Sequence, residues 1–230
     1  MSSTDTRPSN LARIEARIDA ACRRAGRDRS EVTLIAVTKG HDVAEIDRRL
    51  LQHGHTVLGE NRVQEWRDKA EALSDRDVEW HFVGNLQRNK VKYCTDIALI
   101  HSLNSIRLAD TLQQQGDKRG TTFRVMVELN VAGEDSKQGA ELADAEAIVR
   151  HAQTLSNVEV LGLMTIAPYS DDPEDARPVF RRLRELRDRL ELTELSMGMS
   201  GDFEVAIEEG ATFVRIGSAL FADDTSADEQ

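Results

Sequence analysis

The sequence predicts an α/β chain folded as a single (β/α)8 barrel of the TIM type, with an extra helix at its N-terminus. Short apolar, β-branched runs alternate with helical stretches along nearly the whole chain, which implies parallel strands joined by right-handed crossovers. The strand-like runs number eight within about 200 residues, the short end of the range for such barrels. No GxGxxG follows the first run, as it would in an open doubly wound sheet built for a dinucleotide. The 230 residues, 40% hydrophobic and 31% charged, suit one domain with a sizeable core and argue against disorder.

Leu11, Ile14, Ile18, Ala21 and Cys22 share one helical face, so residues 11–25 form a helix that Gly26 ends. This helix precedes the first strand and is expected to cap the barrel bottom. Residues 32–40, VTLIAVTKG, are apolar without alternation, the pattern of a strand buried on both faces. Residues 42–53 return to helical spacing through Val43, Ile46 and Leu50. Strand 56–61 then leads into helix 62–73, strand 78–85 into a short helix 86–94, and strand 96–103 into helix 105–115. Strand 123–132 leads into helix 141–155, and strand 158–168 into helix 174–190. The seventh strand, 194–200, feeds a short helix at 204–210, and the eighth, 212–218, a helical turn at 218–221. The domain reading is a flexible N-terminus at 1–10, the barrel at 11–221 and a flexible acidic tail at 222–230.

Several function classes drop out. A net charge of −11 argues against nucleic-acid binding, which needs a basic face to displace counterions. No apolar run approaches the ~18 residues of a membrane span, and the first ten residues lack the apolar core of a secretory signal. Cys22 and Cys94 are isolated, as free thiols in a reducing cytoplasm would be. The six histidines show no metal-ligand spacing, so no metal is expected.

Barrel active sites lie where the strands end. The first strand ends in Thr38-Lys39-Gly40, the second in Gly59-Glu60-Asn61, and the third in His81 to Asn85. The seventh and eighth run into Gly198-Met199-Ser200-Gly201 and Arg215-Ile216-Gly217-Ser218. Both are Gly/Ser turns that open a helix, the usual phosphate position of this fold. The competing reading is ordinary N-capping by Ser200, Asp202 or Ser218. Lys39 is one of only six lysines beside 24 arginines, and it follows a buried strand. Desolvation there would make its amine a nucleophile for a carbonyl, and closure would bring it beside the phosphate turns. A lysine for an aldehyde next to a phosphate cradle describes a pyridoxal 5′-phosphate (PLP) site. An ion pair of Lys39 with Glu60 or Glu128 accounts for the same residue equally well. Trp66 and Trp80 read as packing, and Lys90 and Lys92 as a basic helix face.

Longer segments carry a resemblance. AVTK (36–39), LGENRVQE (58–65), EWHFVGNLQRNK (79–90), HSLNSIRLA (101–109), NVAGEDSKQG (130–139), GLMTIAP (162–168), LSMGMSGDFEVAIEEG (195–210) and VRIGSALF (214–221) occur in this order. As a set they resemble the PLP homeostasis protein family, also known as alanine-racemase-like or proline-synthase-associated proteins. The resemblance implies a barrel like the N-terminal domain of alanine racemase, with PLP held as a Schiff base on Lys39. It implies that Ser200, Gly217 and Ser218 hold the phosphate, that Arg215 faces the pyridine nitrogen, and that Asn61 and His81 line the pocket. It also draws attention to Lys137 as a candidate for a secondary site, against a plain solvated lysine. Gly40-His41, Arg62 and Ser218 are mild departures, of which His41 could alter the mouth.

Racemisation needs an acid/base group opposite the lysine. In alanine racemase a separate β domain supplies it, and the chain offers no room for one after the eighth strand. Only Tyr93 and Tyr169 are present, in a helix and a loop. The expectation is a non-catalytic, monomeric, cytoplasmic carrier that buffers PLP and passes it to apo PLP-dependent enzymes. A weak amino-acid racemase is the alternative, and a barrel that binds a phosphate metabolite and regulates a partner is a third.

Overall fold

The computed structural model describes residues 9–133 and 138–223. Its strands are β1 (Thr33–Val37), β2 (Val57–Glu60), β3 (Glu79–Phe82), β4 (Leu99–Leu103), β5 (Phe123–Asn130), β6 (Ala140–Glu141), β7 (Val158–Met164), β8 (Glu194–Ser196) and β9 (Phe213–Ile216). All pairings are parallel, and the sheet closes on itself through β1–β9 and β4–β5. β6 has two residues and pairs with the end of β5, so it stands outside the ring. The remaining eight strands form the expected barrel, and the sixth to eighth strands of the sequence reading are β7, β8 and β9.

The helices are α1 (Asn10–Arg24), α2 (Val43–Arg49), α3 (Val63–Ala72), α4 (Ile106–Arg119), α5 (Ala145–Gln153), α6 (Arg177–Arg189), α7 (Phe203–Glu208) and α8 (Ser218–Phe221). Local chemistry sets several ends. Asp42 and Ser105 accept hydrogen bonds from backbone N–H groups of α2 and α4, and left-handed Gly120 ends α4. Several boundaries differ from expectation, and two differences have a local cause. The helix expected over 86–94 is a 3-10 helix, Arg88–Tyr93, in which Val91 alone is buried. One apolar residue gives too narrow a face to hold an α-helix against the barrel. β8 stops at Ser196 rather than at 200, because Gly198 takes φ 92° and turns the chain out of the sheet.

α1 does not close the barrel bottom. It packs in the outer layer beside α7 and α8, tied by Arg17–Glu204 at 3.1 Å and Arg24–Glu208 at 2.9 Å. α8 is a single turn, so α1 fills the space a full eighth helix would occupy. The structure also corrects the expected flexible margins. Ser9 caps α1, and Asn10 is buried, its amide donating to the carbonyls of Leu220 (3.3 Å) and Ala222 (2.9 Å). The rest of the two terminal segments, residues 1–8 and 224–230, lies outside the described residues.

Two apolar cores result. The larger lies between the strands and the helices and includes Trp66 and Trp80. The smaller lies inside the barrel, where Leu99, Met126 and Met164 pack with Leu161 and Phe213. Beside this inner plug, where His81 is in register with Leu99, and above it towards the C-terminal ends of the strands, the lumen turns polar. His81, His101, Glu128, Thr165, Ser196 and Arg215 are all buried.

Candidate functional site

A cavity of about 780 Å3 opens at the C-terminal ends of the barrel strands. Lys39, Asn61, Ser200, Arg215, Gly217 and Ser218 all line it, although they come from β1, β2, β8 and β9 and the turns that follow. Ring closure between β1 and β9 brings Lys39 to the Gly217-Ser218 turn. His81 is not on the cavity wall. It is 1% exposed, inside the barrel, with its ring nitrogens bonded to Glu79 and His101. The correction has a simple cause: β3 ends one residue after His81, so residues 83–85 form the wall there.

The surroundings of Lys39 remove one of the two readings left open above. Lys39 is exposed, and among the described residues its amine has no hydrogen bond or ion pair. Glu60 pairs with Lys69 instead, at 2.5 Å, inside a buried network. Lys69 also donates to the Thr38 carbonyl at 2.7 Å, and the Thr38 hydroxyl donates to Glu60 Oε1 at 2.7 Å. Glu60 Oε2 in turn accepts the Asn61 N–H at 3.2 Å. Thus the backbone next to Lys39 is clamped while its side chain is left free. Exposure also overturns the expectation that a buried strand end desolvates this amine.

On the opposite wall, the turns after β8 and β9 face each other. Ser218 Oγ donates to Ser200 Oγ at 3.0 Å, and the Ala219 N–H points at the same oxygen at 3.4 Å. Neither serine caps its own helix, and Asp202 spends its carboxylate on the Met199 N–H at 2.6 Å. The capping alternative therefore does not account for these residues. Gly217 has room for little more than hydrogen, since a Cβ there would sit 3.1 Å from the Val37 carbonyl oxygen. At Gly84 a Cβ would collide with the Asn61 backbone, so this glycine lets the β3 turn pack against the residue that carries the Asn61 amide.

Arg215 forms the floor. It is 5% exposed and donates from Nη1 to Ser196 Oγ at 2.6 Å and from Nη2 to the Thr165 carbonyl at 2.9 Å. Burial pulls its pKa down to about 10, with Glu128 and Asp202 acting in the opposite direction, so the guanidinium stays charged at neutral pH. Glu128 is 2% exposed, and its Oε2 has no partner. Burial pushes this carboxyl up to about 7, against the lowering pull of Arg215. His41 stands outside the cavity: its ring stacks on Phe221 at 3.7 Å and bonds Glu45 at 2.9 Å. Lys137 lies outside the described residues.

Sequence reasoning missed Lys69 and the polar file behind Arg215. A signal existed for each. Lys69 shares a helical face with the buried Val63, Trp66 and Leu73. His81, His101 and Ser196 interrupt otherwise apolar strands.

The family model for the N-terminal domain of alanine racemase matches residues 9–225. A pyridoxal phosphate homeostasis protein of Aquifex aeolicus is 50% identical over 220 residues, which cover 93% of this chain and 96% of that one. The chain belongs to the pyridoxal phosphate homeostasis protein family. The solved structure of PipY of Synechococcus elongatus with PLP bound superposes with a TM-score of 0.78 at 35% identity, over 90% of this chain and 99% of that one. An alanine racemase of Clostridium difficile shares the fold alone, with a TM-score of 0.73 at 14% identity over 98% of this chain and 61% of that enzyme. Among the described residues no helix is long and apolar enough to cross a membrane, and no cluster of side chains is set up to hold a metal.

Proposed function

We propose that this protein holds PLP as a Schiff base on Lys39, keeps the free aldehyde scarce, and yields it to apo PLP-dependent enzymes without transforming a substrate. The observation that carries this reading is an uncommitted lysine amine facing two Ser/Gly turns across one cavity. Lys39 would supply the amine for the aldehyde, releasing water. Ser200, Gly217 and Ser218 would hold the phosphate through hydroxyl and backbone N–H groups. The Asn61 amide, whose Oδ1 is buried without a partner, is free to meet a polar group of the ring. Arg215 would face the pyridine nitrogen and, being charged, keep that nitrogen unprotonated. Bound PLP supplies an electrophilic carbon and an electron sink, and a charged guanidinium beside its nitrogen weakens that sink.

Absence of turnover is supported by the tyrosines. Tyr169 is on the cavity rim but 93% exposed, with its hydroxyl directed to Asp171 at 3.2 Å. Tyr93 lies on the outer 3-10 helix among Arg67, Lys90 and Lys92. The reading extends to a cytoplasmic monomer. Both cysteines are buried free thiols, and the few exposed large apolar residues, Ile106, Ile166, Tyr169 and Met199, suit transient rather than permanent contacts. Three of these four line the cavity, where a recipient would dock to collect PLP.

Absorbance decides the central point. Purified protein mixed with PLP should gain a visible imine band that is trapped by borohydride and is lost in Lys39→Ala. Wild-type protein that gains no band would sink the reading. A weak racemase is the second reading, favoured by Tyr169 on the rim. Exchange of an amino acid α-hydrogen in deuterated water that depends on both Lys39 and Tyr169 would establish it in place of the carrier.

A further inference from the structure

A single file of hydrogen bonds crosses the barrel lumen from the N-terminal face to the cavity. Glu79 Oε1 lies 2.8 Å from His81 Nε2, and His81 Nδ1 lies 2.9 Å from His101 Nε2. His101 Nδ1 lies 2.8 Å from Ser196 Oγ, the oxygen that accepts Arg215 Nη1 at 2.6 Å. The Glu79 side chain is 53% exposed, whereas His81, His101, Ser196 and Arg215 are buried. Phe213 packs on both imidazoles, with centroids 5.7 Å from His81 and 5.6 Å from His101.

The two ends dictate the direction of every bond between them. A guanidinium only donates, and a carboxylate only accepts. The Glu79 carboxyl is held below its usual range by the His81 bond, so it is ionised and His81 Nε2–H donates to it. In a neutral His81 ring, Nδ1 must then accept, so His101 donates from Nε2. Its own Nδ1 accepts the Ser196 hydroxyl, which accepts from Arg215. Burial, with the Arg215 charge adding to it, holds His101 neutral. With both rings neutral, no bond in the file can be reversed.

We propose that Glu79, His81, His101 and Ser196 are positioning residues for Arg215, and that the file couples the charge state of the far barrel face to the cavity. The proposal rests on the reading that Arg215 meets the pyridine nitrogen of PLP. A second proton on His81 makes its Nδ1 a donor. That proton comes from His101 Nε2, His101 Nδ1 takes the Ser196 hydroxyl proton, and Ser196 is resupplied from solvent, so the charge of His101 is unchanged. Ser196 Oγ then accepts from His101 as well as from Arg215, its own hydrogen is freed, and the environment of Nη1 changes. The other charged groups on this file are Arg124 of β5 beside Glu79, and Glu128 of β5 and Asp202 before α7 towards Arg215.

Two measurements test it. In ligand-free wild-type protein, long-range nitrogen–proton NMR of the imidazoles should show both rings protonated at Nε2, with no second proton on His101. In protein loaded with PLP, the visible band should change with pH. Glu79→Gln, at an exposed site, should alter that pH profile, since it removes the charged acceptor that fixes the direction of the file. Ser196→Ala should keep the band and flatten its pH dependence. His101 protonated at Nδ1, or pH profiles in both variants that match the wild type, would overturn the proposal. If wild-type protein gives no band, the reading of the cavity fails. The NMR then decides the file alone: Nε2–H on both rings upholds it, and any other pairing refutes it.

Discussion

Lys39 and Arg215 face the same cavity but are held in opposite ways. Lys39 is fixed through its backbone, by the buried Thr38–Glu60–Lys69 network, and its side chain is exposed and, among the described residues, unpaired. Arg215 is fixed through its side chain, by Ser196 and the Thr165 carbonyl, and is buried. The contrast follows from chemistry. A group that forms and releases a covalent bond must be reachable by water and must swing. A group that recognises a ring by charge gains from being held still, because a pre-oriented dipole needs no reorganisation when the ligand arrives.

The comparison breaks most sharply at its hidden half. Lys69→Met leaves the Glu60 carboxylate buried and unpaired, which should cost about 3–5 kcal/mol. Thermal unfolding should show a drop of about 10 °C or more, and imine formation by Lys39 should slow, although Lys69 touches no part of the cavity. Glu60→Gln combined with Lys69→Met should recover much of the loss. Full stability in the single variant would show that the clamp is unimportant.

The floor is sharpened by pH. The Glu128 carboxyl moves from an ordinary 4.5 to about 7, so the folded state holds a proton that the unfolded chain has lost. Its stabilising contribution is complete below 4.5 and disappears as pH rises through 7. Glu128→Gln should therefore gain on the order of 2–3 kcal/mol over wild type at pH 8 and little at pH 4. His101 acts with the opposite sign. Its pKa falls well below 6.5, so its contribution is present above 6.5 and is lost as pH falls below it. The two slopes oppose each other between 4.5 and 6.5. Removing Glu128 should expose the His101 slope as a Tm that declines on acidification below pH 6.5. A Tm that stays flat in Glu128→Gln would contradict the assignment of His101.

Arg215→Lys asks whether the floor needs a fork or only a charge. An ammonium cannot reproduce the paired bonds to Ser196 and Thr165, so a loss of about 2 kcal/mol in stability is expected, together with weaker PLP retention. The smallest effect belongs to the rim. Tyr169→Ala, at a side chain 93% exposed, should change stability by less than about 0.5 kcal/mol and leave the imine band intact. A lost band would move Tyr169 from the rim into the site.

The sequence by itself determined the barrel, because strand and helix periodicities are local and eight repeats leave few ways to close a sheet. It also located most of the cavity wall, since strand-end position follows from the same periodicity. It did not determine which lysine is buried. Lys39 follows an apolar strand and is exposed, and Lys69 sits in a charged helix and is buried. Nor did it place His81, which reads as a strand-end residue yet turns into the lumen. The partners that decide these cases lie far apart along the chain, 31 residues from Lys69 to Thr38 and 95 from His101 to Ser196. The packing of strands and helices sets such distances, so only the tertiary structure decided which polar groups meet and which, like the Lys39 amine among the described residues, do not.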